Sequence, residues 1–202
     1  MADDHYFAVE PSVPSATATV ELRLPDVTLQ LTTDRGVFAH RSVDAGTKLL
    51  LLEGPPPPAQ GDVLDLGCGY GPIACALARR APGATVWAVD VNERARSLCA
   101  ANAAANGLAN IRVAAPDDVD PTVAFAGLWS NPPIRVGKAA LHDLLATWLA
   151  RLAPGAAAHL VIHRNLGSDS LAAWLGASGW TVRRRASRQG YRVLDVAGAT
   201  RG

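Results

Sequence analysis

A chain of 202 residues with 49% hydrophobic and 18% charged residues is long enough for one sizeable core, and its composition is that of a folded globular protein and excludes a disordered chain. The formal charge of +1 excludes protein-wide attraction to polyanions, so any phosphate contact must come from a local basic patch. Cys68, Cys75 and Cys99 lack C-x-x-C spacing and join no histidine in a ligand pattern, so neither a disulfide framework nor a metal site is expected.

Residues 1–16 carry Asp3, Asp4 and Glu10 without an apolar run, and Pro11 and Pro14 predict an irregular arm. No later stretch approaches the roughly 18 apolar residues of a membrane span, so the expectation is a cytoplasmic protein with no membrane partner. TVELRL and VTLQL, on either side of Pro25 and Asp26, predict a hairpin or meander, and DRGVF (34–38) predicts another short strand. VDAGTKLLLLEG places an aspartate ahead of an apolar run that ends at a glycine, which predicts a short helix. PPPPAQG (55–61) cannot continue it and reads as a connector. The expected division is therefore 1–54 as a β-rich extension with a short helix, 55–61 as connector, and 62–202 as core.

Beyond Gly61 strands alternate with helices, the signature of a parallel sheet covered on both faces. VLDL, TVWAVD, the run from Ile111 to Ala114, AFAGLWS and AAHLVIH are expected strands. Helices are expected at PIACALARR, from Glu93 to Asn106, from Lys138 to Leu152, and from Ser170 to Ala177. WTVRRRAS and YRVLDVA, separated by RQG, close the sheet as an antiparallel pair. The predicted fold is α/β, a Rossmann-like sheet of seven mostly parallel strands with helices on both faces, preceded by the extension.

The strand ending at Asp65 runs into DLGCGYGP, where Gly67, Gly69 and Gly71 lack the Cβ atoms that keep backbone from a ligand, and Pro72 suits the first helical position. A dinucleotide loop, G-x-G-x-x-G, needs glycine where Pro72 stands. The G-x-G-x-G spacing preceded by an acid favours S-adenosylmethionine over NAD. Asp90 ends the next strand 19 residues after Gly71, where a carboxylate can hold two ribose hydroxyls, or cap the following helix. Asp117 and Asp118 follow the third strand, where an acid can meet the adenine amino group, or stand in a solvated turn.

SNPPI (130–134) ends the fourth strand. Consecutive prolines fix φ and remove two donors, leaving carbonyls near Asn131 and Pro132 as acceptors. Together with the Asn131 side chain they can hold the two hydrogens of a conjugated amine and aim its lone pair at a sulfonium methyl. Arg135 and Lys138 flank this turn, and Arg183, Arg184, Arg185, Arg188 and Arg192 cluster near the terminal hairpin, as an RNA track or as guards of an edge strand. His40, His142, His159 and His163 show no ligand spacing.

DLGCGYG and SNPPI, with HYF near the start and GVFAHRSVDAGTKLLL before the proline tract, resemble the small-domain methyltransferases similar to the catalytic half of small-subunit ribosomal RNA guanine-N2 methyltransferases. The resemblance covers most of the chain. It implies S-adenosylmethionine as cofactor, S-adenosylhomocysteine as product, and ribosomal RNA or a ribosomal subunit as partner. It implies cofactor contacts from Asp65, Gly67, Gly69 and Asp90. Further candidates for the cofactor are Cys68, which also suits the loop as a small residue, Gly71, Val91, Asp117, Asp118, Asn131 and, at the methionine end, Thr47, which as a helix-start residue needs no such role. Asn131, Pro132, Pro133 and Ile134 would face the acceptor amine. The sequence departs from the family at Ile134, where an aromatic residue ordinarily stacks on a base. A protein amide or small-molecule amine as acceptor therefore stays open, as does a non-catalytic RNA-binding or assembly module.

Overall fold

The computed structural model describes residues 13–198; the HYF segment and most of the expected N-terminal arm lie outside the described residues. Strands β1 (Ala18–Arg23) and β2 (Thr28–Thr33) form an antiparallel hairpin, with Leu22, Leu29 and Leu31 on its buried face. The short strand expected at 34–38 is a run of turns instead. The Asp34 carboxylate accepts the amides of Ala16 and Arg35 and the Ser15 hydroxyl, and Gly36 at φ +78° turns the chain, so local side-chain bonds displace any sheet ladder. Helix α1 (Ala45–Glu53) follows, capped by Asp44 and ended by Gly54, as its sequence predicts.

The remaining elements are β3 (Gly61–Leu66), α2 (Pro72–Arg80), β4 (Ala84–Val89), α3 (Glu93–Ala105), β5 (Ile111–Ala114), β6 (Gly127–Ser130), α4 (Lys138–Leu149), β7 (Ala157–His163), α5 (Ser168–Ala177), β8 (Trp180–Arg188) and β9 (Tyr191–Gly198). The seven-stranded sheet has the order β5-β4-β3-β6-β7-β9-β8, parallel from β5 to β7 and antiparallel where β9 enters. This is the predicted Rossmann-like architecture.

Strand alternation distributes the core over both faces. Val63, Trp129, Val161 and Val193 meet α1, α2, α3 and the N-terminal hairpin, whereas Leu64, Leu128, Leu160 and Leu194 meet α4 and α5. The hairpin and α1 share one apolar cluster with the helices of the sheet's first face. Asn102 on α3 reinforces the contact: it accepts the Thr32 amide and donates to the carbonyls of Thr32 and Tyr70, tying β2 to the glycine loop.

Gly71, at φ +91°, caps α2, and a Cβ there would lie 2.6 Å from the Cys99 sulfur. Its glycine serves helix packing. Gly71→Ala combines overpacking with a left-handed backbone, and an expected loss of about 2–4 kcal/mol of stability is read as a lowered midpoint in urea denaturation.

Candidate active site

Leu66, Val89 and Ser130 end β3, β4 and β6 and stand opposite one another in the parallel register, so three loops leave the sheet at one level. The junction is bonded: the amides of Gly67 and Cys68 donate to the Val89 carbonyl at 2.8 and 3.1 Å, and the Ser130 hydroxyl donates to the Leu66 carbonyl at 2.7 Å. The order of strands reverses at β3, the point at which open α/β sheets bind ligands. Gly67 (φ +74°) and Gly69 (φ +55°) carry the turn, and a Cβ on either would meet open space, the nearest atom being a Val37 methyl 4.0 Å from Gly69.

Asp90 links the first two loops. Its Oδ2 accepts the Gly69 amide and its Oδ1 the Asn92 amide, both at 2.9 Å, while Asn92 itself caps α3. Burial raises the Asp90 pKa, and these two amides oppose that rise. Each carboxylate oxygen retains a lone pair for a ligand hydroxyl. Asp65 lies beneath, fully buried, with Oδ2 accepting the Ala74 amide in the first turn of α2 and Oδ1 without a partner among the described residues. Burial, with a smaller contribution from Asp90, pushes its pKa up to about 8.

The three loops open into one cavity of about 470 Å³, within the ordinary range for a small-molecule site. Of the sequence candidates, Gly67, Cys68, Gly69, Asp90 and Val91 line one end of it. Thr47, Asn131, Pro132, Pro133 and Ile134 line the other. Asp65 and Gly71 stand behind the lining. Asp117 and Asp118 are exposed in a single 3-10 turn, and their neighbour Pro116 reaches the cavity instead.

At the second end the Asn131 amide nitrogen donates to Asp44 Oδ2 at 2.9 Å and to Thr47 Oγ1 at 3.1 Å. Asp44 Oδ2 also accepts the Thr47 amide, and Oδ1 accepts the Tyr191 hydroxyl at 3.3 Å. Asn131 Oδ1 and the Pro132 carbonyl have no partner among the described residues, whereas the Pro133 carbonyl accepts the Val136 amide. Two acceptors thus remain for a ligand. The Tyr70 hydroxyl is buried without a partner among the described residues and its side chain lines the same cavity. A carboxylate at one end, open glycines and an unpartnered hydroxyl fit the adenosine and amino-acid parts of S-adenosylmethionine. Val37, Phe38, Ala39, Asp44, His163 and Tyr191 also line the cavity and escape the sequence reading. Asp44 and Tyr191 are 147 positions apart, so no local pattern joins them.

The candidate histidines divide. His159 pairs with Asp195 in the sheet, with burial lowering its pKa; His142 stacks on Trp174, and His40 bonds the Ala16 carbonyl. His163 alone of the four reaches the cavity, edge-on to Tyr191. Among the described residues no cluster of His, Cys, Asp and Glu suited to a metal occurs, and no helix is long and apolar enough to cross a membrane.

A seven-stranded sheet with a glycine loop at its switch point and an NPP turn beside it is a Rossmann-like methyltransferase fold. The chain belongs to the methyltransferase small domain family, whose model matches residues 28–195. It is 37% identical over 170 residues to the protein YbxB of Bacillus subtilis (strain 168), covering 83% of this chain and 85% of that one. It is 36% identical over 148 residues to ribosomal RNA small subunit methyltransferase C of Shewanella halifaxensis, covering 70% of this chain and 42% of that one. The T. thermophilus 16S rRNA N2 G1207 methyltransferase (RsmC), solved in complex with AdoMet and guanosine, superposes with a TM-score of 0.74 at 26% identity, covering 93% of this chain and 52% of that one. The chain therefore spans about half the length of these ribosomal RNA methyltransferases.

Two outcomes are expected. Asp90→Ala removes the carboxylate from the cavity wall and frees the Gly69 amide, so calorimetric affinity for S-adenosylmethionine is expected to fall by roughly 100-fold, the loss of about two charged hydrogen bonds. Asp65, with a folded pKa near 8 against 3.8 for an ordinary Asp, keeps a proton that the unfolded chain has lost. Its contribution to stability thus falls as pH rises through that window, by up to roughly 1.4 kcal/mol per unit. Asp65→Asn removes this dependence, so the variant gains on the wild type between pH 5 and 8 in denaturant titrations; parallel curves would contradict the assignment.

Proposed function

We propose that this protein is an S-adenosylmethionine-dependent N-methyltransferase whose acceptor is an exocyclic amino group of guanine in ribosomal RNA, free or within the small subunit. The observation that carries the reading is one cavity that joins the Asp90–glycine-loop end to the two free acceptors, Asn131 Oδ1 and the Pro132 carbonyl. When bound, S-adenosylmethionine supplies an electrophilic methyl group on a sulfonium.

The residues of this chain hold the acceptor. Asn131 Oδ1 and the Pro132 carbonyl each accept one N–H of the amine, turning its lone pair out of conjugation and toward the methyl group. Nitrogen gains the methyl and gives up one proton to solvent. The enclosing wall of Ile134, Leu144 and Ile162 keeps water from competing. Ile134 offers a flipped base an aliphatic contact without a π-face, a feature that equally suits a protein amide or a small amine.

Electrostatics favour a particular approach for RNA. Arg183 and Arg185 are paired with Asp195, Arg184 and Arg192 with Asp169, and Arg188 with Glu53. Arg135, Lys138 and Arg164 are exposed, make no ion pair among the described residues, and sit on the turns that carry Ile134 and His163. They are the cations available to phosphates beside the acceptor.

The test is transfer of labelled methyl to ribosomal RNA and to small subunits from a strain lacking this protein. Incorporation at a guanine amine, abolished by Asn131→Ala with cofactor affinity retained, is the expected result. Incorporation into protein or a small amine alone would transfer the assignment to that acceptor. Charge removal at Arg135 and Arg164 is expected to flatten the salt dependence of RNA binding by about one unit of slope for each phosphate left without its cation, and removal at Arg183 and Arg184 by less.

A further inference from the structure

The Asn131 side chain can act as an acceptor only if its oxygen, and not its NH2 group, faces the reacting amine. An amide that turned over would point two donors at the amine hydrogens and repel the substrate. The prolines that follow fix the backbone but leave this last torsion free, because the terminal torsion of Asn is broad and close to two-fold. Something outside the NPP turn has to choose.

We propose that Asp44 is a positioning residue for methyl transfer: its carboxylate fixes the Asn131 amide so that Oδ1 faces the acceptor, a role that rests on the site assignment above. The choice follows from chemistry. A carboxylate only accepts, so only the NH2 group of Asn131 can bond Asp44 Oδ2 at 2.9 Å, and Oδ1 is turned the other way. The second amide hydrogen goes to Thr47 Oγ1 at 3.1 Å, so both donors of the amide are engaged on the side remote from the acceptor.

Asp44 is itself held from two directions. As N-cap of α1 its Oδ2 accepts the Thr47 amide at 2.9 Å, which ties the carboxylate to the helix. From β9 the Tyr191 hydroxyl donates to Oδ1, and the Tyr191 ring lies against Gly46, where a Cβ would come within 2.6 Å of it. Gly46 is thereby explained as the space that admits the ring. The path runs from β9, through Tyr191 and Asp44, to the atom that meets the substrate, and Asp44, Thr47, Asn131 and Tyr191 all line one cavity.

The experiment separates capping from orientation. Asp44→Ser keeps a helix N-cap but is too short to bond Asn131, whereas Asp44→Asn can accept from Asn131 and Thr47 through one oxygen and turn its own NH2 to the Tyr191 oxygen. The first measurement uses the full chain without any acceptor: the Asn131 side-chain NH2 signals in a 15N spectrum, assigned by their loss in Asn131→Ala. In the wild type both protons are hydrogen-bonded and are expected to exchange slowly with water. In Asp44→Ser exchange is expected to quicken by roughly 10-fold or more, and Asp44→Asn restores it. The second measurement is turnover on the methyl acceptor, where Asp44→Ser lowers kcat by roughly 10- to 100-fold with cofactor affinity and melting temperature held, and Asp44→Asn recovers most of the loss.

Unchanged amide exchange in Asp44→Ser, or loss of activity in that variant only through cofactor affinity, would overturn the proposal. Should the wild type transfer nothing to RNA while the amide signals respond as described, the RNA reading fails and the orientation of Asn131 by Asp44 stands.

Discussion

The parallel register of β3 with β4 and β6 is the constraint on which the rest of the molecule depends. Because Leu66 is paired with Val89 on one side and with Ser130 on the other, the glycine loop, the Asp90 turn and the NPP turn start from one level. A register slip of one residue would move Asp65 to the opposite face of the sheet and detach it from the Ala74 amide. The bonds from Gly67 and Cys68 to Val89, and from Ser130 to Leu66, continue the ladder past the strands and hold the loops at that height. Only then can two chemically distinct turns, 62 residues apart from Gly69 to Asn131, share a cavity.

The N-terminal hairpin and α1 complete that cavity. Asn102 bonds β2 and the Tyr70 carbonyl with one side chain, and the Asn92 amide reaches the Gly36 carbonyl, so the extension is joined to the glycine loop and to the Asp90 turn by buried polar groups. Such groups are costly when unpaired, which favours a single docking arrangement. It brings Val37, Phe38 and Ala39 to the wall of the cavity, and Asp44 and Thr47 against the NPP turn. The lead-in is therefore structurally part of the site.

Much of this was legible in the sequence because its causes are local. Strand and helix periods, the cap at Asp44, Pro72 at the first turn of α2 and the G-x-G-x-G spacing each act within a few residues. What escaped is set by distant partners. The run 34–38 has the composition of a strand, yet Asp34 gathers donors from Ser15 and Ala16 and bends it. Gly71 belongs to the same motif as Gly67 and Gly69, but Cys99 on α3 occupies the space beside it, so one glycine packs while two stay open. Asp44 reads as a helix cap and is one; its bonds to Asn131 and Tyr191 come from chain 87 and 147 residues away.

The arginines of the terminal hairpin show how composition can mislead about partners. β8 is an edge strand, and charge along it guards against pairing with another chain. Asp195, on the neighbouring β9, accepts from Arg183 and Arg185 on one side and from His159 on the other, and together these partners hold its pKa below the ordinary carboxylate value despite burial. Two arginines are thereby committed to compensating a carboxylate inside the sheet, and a phosphate would have to compete with it. The turns after β6 and β7 impose no such competition on Arg135 and Arg164. Since those same turns present Ile134 and His163 to the cavity, cations that make no ion pair among the described residues stand beside its mouth, so the local charge there differs from that of the terminal hairpin.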